Sequence, residues 1–158
     1  MATRAVFTPF SAEFPTTNFP QLALVNARPV LAFDQTTAET CYWTDVAPQG
    51  LTGTLTAVIS YIATVTSGTA AFDVAIEAIS SGDTVDLDTS TSFGTANSSS
   101  AQTVPGTAGY MSQISVTLTN TDSLAAADYF RISLQRNTGL DTAAGDVQVL
   151  AVELRDGA

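Results

Sequence analysis

The sequence predicts an all-β fold: an antiparallel two-sheet sandwich, jelly-roll-like, with an extended N-terminal arm. Three observations predict it. Apolar and polar residues alternate with period two over several stretches, which turns one face of each strand inward. Turn residues recur about every ten positions, and no long helical pattern interrupts them. Finally, 45% of the residues are apolar and only 13% are charged, so a core can form while Thr, Ser and Ala cover much of the surface. A chain of 158 residues suits one domain.

The elements follow in order. Residues 1–28 read as an extended arm preceding a sandwich domain over 29–158. Phe7, Phe10, Phe14 and Phe19 are interleaved with Pro9, Pro15 and Pro20. Proline removes a backbone donor and disfavours helix just before it, so this segment is extended or irregular. Rings at this density are poor company for disorder. They are expected to dock onto the domain's own core or, in the sharper reading, onto a neighbouring subunit or host surface. Leu22–Val25 reads as a short strand anchoring the arm, and Arg28-Pro29 opens the domain.

Strands are expected over Val30–Phe33 and Glu39–Asp45, then a turn at Pro48-Gln49-Gly50. Leu51–Ser81 is the most regular stretch. Leu55, Ala57, Ile59, Tyr61, Ala63 and Val65 share one face; Phe72, Val74, Ile76 and Ala78 share another, opposite Asp73 and Glu77. With Thr66-Ser67-Gly68-Thr69 between them, the two runs predict a long β-hairpin. From Ser80 to Gly109 the pattern weakens to a polar loop, with short strands expected at Val85–Asp88 and Ala101–Val104. Met111–Asn120 alternates again. Asp122–Asp128 is expected to make one helical turn capped by Asp122 or Ser123. Tyr129–Gln135 is a strand, and Val147–Leu154, apolar on both faces, reads as a central one.

Composition excludes much chemistry. The net charge is −10, from 15 acids against five arginines, with no lysine and no histidine. No basic patch can be assembled from Arg4, Arg28, Arg131, Arg136 and Arg155, which argues against nucleic acid or an anionic membrane as partner. Without histidine there is no imidazole base or metal ligand; without lysine there is no Schiff base and no P-loop. Cys41, the single cysteine, cannot close an intrachain disulfide and reads as a buried small hydrophobe beside Trp43.

Three weaker constellations point to chemistry. Asp83, Asp86 and Asp88 could offer hard oxygens to calcium, but their spacing is not that of an EF-hand and a solvated acidic loop is the default. Asp73 and Glu77 have no second acid placed opposite them, as glycoside hydrolysis would need. Trp43, Tyr42, Tyr110 and Tyr129 are candidate sugar-stacking rings, with core packing the better use for the tryptophan. Asn97-Ser98-Ser99 fits a glycosylation sequon and is discounted for want of a secretory signal. No apolar run reaches the ~18 residues of a membrane-spanning helix. No catalytic residue, metal or cofactor is therefore expected.

One resemblance bears on function. Leu31-Ala32-Phe33-Asp34, Glu39-Thr40-Cys41-Tyr42-Trp43, Val104-Pro105-Gly106-Thr107-Ala108-Gly109, Ala127-Asp128-Tyr129-Phe130-Arg131-Ile132 and Asp141 through Glu153, as an ordered set, resemble small β-sandwich proteins of tailed bacteriophages and prophages. The likeness spans roughly residues 30–155 and leaves the arm outside it. It implies a structural virion protein of the head decoration, or cement, type and no enzyme. Such a protein would form a homo-oligomer, typically a trimer, and bind the major capsid protein on the outside of the head after synthesis in the host cytoplasm. Phe7, Phe10, Phe14 and Phe19 are then the expected capsid or neighbour contacts. A carbohydrate- or receptor-binding module of a phage tail fibre is the alternative.

Overall fold

The computed structural model describes residues 1–157. The strands are β1 (Ala2–Phe7), β2 (Gln21–Val25), β3 (Arg28–Phe33), β4 (Thr40–Val46), β5 (Leu55–Ala63), β6 (Thr69–Ala70), β7 (Phe72–Ile79), β8 (Asn97–Ser98), β9 (Gln102–Thr103), β10 (Ser112–Leu118), β11 (Tyr129–Arg136) and β12 (Val147–Asp156). A 3₁₀ turn at Pro9–Ser11 is the one helical element among the described residues. The first sheet runs β10-β5-β12-β3-β2, with β1 also paired to β12; the second runs β4-β11-β7-β8. All pairings are antiparallel, and β6 and β9 make a small separate ladder.

The period-two pattern sets which face of each strand is inward. Ile59 and Tyr61 of β5, Ile114 and Val116 of β10, and Ile132 and Leu134 of β11 meet in one core. β12 is central, as its two apolar faces suggest: β5 flanks one side, β3 and β1 the other. A register shift between Val149 and Ala151 breaks its alternation. That bulge is why Val147, Val149, Val152 and Leu154 all reach the core.

The expected hairpin over Leu51–Ser81 does not form. β5 belongs to the first sheet and β7 to the second, and the two do not pair. Alternation reveals which face is greasy but not which strand lies alongside. Here the chain crosses between layers, so the two apolar faces oppose each other. The Tyr61 and Phe72 rings meet edge-on at 6.5 Å across the core. Gly68 makes the crossing, with φ +94° and the Thr142–Ala143 backbone 2.7 Å from where a Cβ would sit.

The N-terminal segment also departs from expectation. It does not stand apart from the sandwich as an arm, because β1 hydrogen-bonds along β12 and β2 along β3. The β2–β3 hairpin turns through Asn26 and Ala27, both at positive φ. Such two-residue turns match the twist of paired strands, so the hairpin forms despite lacking the usual glycine.

Two further expectations are corrected. Val85–Asp88 forms no strand: Val85 and Asp86 are irregular, and Leu87 and Asp88 belong to a turn. Asp122–Asp128 makes no helical turn, since Asp122, Ser123 and Ala127 all have positive φ. The Asp122 carboxylate instead accepts from Ala78 N at 2.9 Å and the Asp128 carboxylate from Ala125 N at 2.8 Å. Asp128 thus serves its own loop backbone and Asp122 ties the loop to β7, the competing use of such side chains.

Candidate functional site

The two sheets differ in width, and that difference builds the candidate site. β2 lies at the end of the wider sheet. Leu22 is opposite Leu31, a fully buried core residue, so Leu22 and Leu24 lie on the core-facing side of β2. The narrower second sheet does not reach beneath them, and Leu24 is 66% exposed.

Residues 8–20 form a strap that crosses from β1 to β4, the outer strand of the second sheet, and its 3₁₀ turn lies against β3, the neighbour of β2. Three anchors hold the strap. Thr8 caps the Pro9–Ser11 turn, and its carbonyl accepts from the Trp43 indole Nε1 at 2.9 Å. Glu13 exchanges backbone hydrogen bonds with Tyr42, at 2.8 and 2.9 Å. The Asn18 carbonyl accepts from Thr40 N at 2.8 Å. Between anchors the chain bows outward, which leaves Phe10 71% and Phe14 40% exposed.

The four predicted contact residues therefore separate. Phe7 is a correction: it is 4% exposed, with its ring 5.9 Å from Trp43 and 6.3 Å from Phe130 in the core. Its place at the end of β1 turns it inward, so it is not presented to a partner. Phe10 and Phe14 are presented. Phe19 is half-buried and packs against Phe14 at 5.6 Å. Leu22 and Leu24 join this flank and were not singled out from the sequence. The available signal was charge: residues 14–27 contain no ionisable side chain.

Of the remaining candidates, Tyr110 (65% exposed) and Tyr129 (38% exposed) lie at the surface, and the others are structural. Cys41 is fully buried, and burial pushes its thiol well above the ordinary value. Trp43 is buried in the core. Tyr42 is half-buried and stacks on Phe93 at 5.5 Å, with the Arg131 guanidinium 4.6 Å from its ring. Glu77 is buried, accepts from Ser92, and lies 3.6 Å from Arg131. Asp83 accepts from Ser80 N and Asp86 from Asp88 N, as loop caps. Among the described residues no three acids or thiols converge as a metal site would require. The Asn97 amide is buried and bonds the Val74 and Asn120 carbonyls while its oxygen takes Thr119 and Asn120 N, which leaves no amide for a glycan.

What this flank offers is apolar area held on a pinned backbone, with Glu13, paired to Arg131, the one charged side chain of the strap. That suits protein contact rather than chemistry. No protein-family model matches the chain, and no curated protein matches it.

Proposed function

We propose that this is a structural virion protein of the head decoration type, binding the outside of a phage capsid through the Phe10, Phe14, Leu22 and Leu24 flank. The exposure of Phe10 on a strap fixed at Thr8, Glu13 and Asn18 carries this reading. A ring held out by a pinned backbone has little ordering entropy left to lose on binding. Burying one such side chain is worth about 1.5–3 kcal/mol. On a shell that contribution repeats at every copy, and repeated sites favour symmetric oligomers such as the expected trimer. The resemblance over residues 30–155 and the low charged fraction support the same reading.

The test is co-sedimentation of purified protein with heads of the phage that encodes it, comparing wild type with the Phe10→Ser/Phe14→Ser double variant. The expected result is saturation at many copies per head and loss of binding in the variant. Failure of wild type to bind heads overturns the reading. Tail stoichiometry with glycan binding would instead make it a fibre module.

A further inference from the structure

We propose that the Asp86-Leu87-Asp88 loop of one copy docks into a groove on the outer face of the first sheet of a second copy. Leu87 fills the groove and its flanking carboxylates meet Arg28 at the rim. The groove holds about 400 Å³ and is lined chiefly by Val25, Arg28, Ile62, Met111 and Leu150. Met111 is 61% exposed there.

Charge makes this groove unlike the rest of the molecule. Four of the five arginines hold a carboxylate: Arg4 with Asp156, Arg131 with Glu13, Arg136 with Asp141 and Arg155 with Glu153. Arg28 does not. Its one hydrogen bond among the described residues is to the Asn26 carbonyl, at 3.3 Å. On a chain of net charge −10, an apolar groove rimmed by an unpaired cation selects an apolar side chain carrying acids.

The chain carries that complement once. Leu87 is 57% exposed, and it alone among the exposed large hydrophobic side chains has an acid on both sides. The Asp88 carboxylate accepts no hydrogen bond within the described residues, and one Asp86 oxygen caps Asp88 N. One copy cannot satisfy itself. The loop follows β7, at the end of the second sheet where Ile79 pairs with Tyr129. The groove is on the far side of the first sheet, across layers about 10 Å apart. The contact is thus head-to-tail, and successive copies close a ring or extend a chain. It deepens the virion reading and rests on it only in requiring many copies.

The test is sedimentation velocity across a concentration series, with no capsid present. Wild type is expected to form species larger than the monomer. Arg28→Glu and Leu87→Asp should each weaken assembly roughly tenfold or more, with unchanged circular dichroism because both positions are exposed. Mixing these two variants should restore association only to one-to-one pairs, because each supplies the half the other lacks. A wild type that stays monomeric overturns the contact, as does assembly that either variant leaves intact. Head co-sedimentation is a separate observation, so loss of one reading is distinguishable from loss of the other.

Discussion

The side chains of Arg136 and Asp141 form a buried bidentate pair, with both N···O distances 2.7 Å. The same guanidinium donates to the carbonyls of Phe33, Ala143 and Gly145. One side chain at the end of β11 thereby ties the 137–146 loop to β3. Five satisfied donors in a planar fork explain why arginine, and not lysine, stands here.

Removing one partner should be severe. Asp141→Ala leaves a buried cation without its counter-charge and is expected to cost ~3–5 kcal/mol. Urea unfolding measures it as a fall in midpoint at an unchanged slope. A loss under 1 kcal/mol would contradict the assignment of Arg136 as the hub of this end.

Acid should loosen β1 first. The Arg4 guanidinium, 2.6 Å away, holds the Asp156 carboxyl well below its ordinary value of 3.8; burial opposes this, and Thr52 adds further hydrogen bonds. A depressed folded pKa contributes stability that is present above 3.8 and is lost as pH falls below it toward the folded value. Amide exchange in residues 2–7 should therefore accelerate as pH drops below 3.8, relative to the intrinsic rate. Asp156→Asn should remove that pH dependence.

Phe7 and Phe10 lie three residues apart and should respond in opposite ways. Phe7→Ala opens the core and is expected to cost ~3–5 kcal/mol. Phe10→Ser alters an exposed side chain and should stay within about 0.5 kcal/mol of wild type. Thermal melts of the two variants check this. The melts also set the control for head binding, since only Phe10→Ser leaves a folded protein lacking the contact.

Arg131 should hold the 80–100 loop on the second sheet. It lies over Tyr42 and, at 5.6 Å, over Phe93, and it faces both Glu13 and Glu77. Arg131→Ala is expected to cost ~2 kcal/mol and to expose residues 83–93 to protease. Arg131→Lys should rescue the charge but not the stacking, giving intermediate cleavage.

Several of these features were legible in the residues and others were not. Trp43 and Cys41 as core, β12 as a central strand and the inward faces of β10 and β11 follow from alternation, because side-chain direction is a local property of a strand. Arg136 gave no such signal: a lone arginine at a strand end looks solvated until the 137–146 loop folds over it. Glu77 was placed on an outer face, correctly by parity, yet the polar loop carrying Ser92 and Phe93 buries it.

By itself the sequence determined an all-β chain, the face each long strand turns inward, and a side-chain inventory without histidine or lysine. Tertiary structure decided which strands are neighbours. It split Leu55–Ala63 and Phe72–Ile79 between sheets, drew Ala2–Phe7 onto β12, and separated Phe7 in the core from Phe10 on the surface. The physical reason is that period-two patterning encodes burial one strand at a time. Pairing and overhang depend on how two sheets of unequal width close over one core, and no local run of residues contains that.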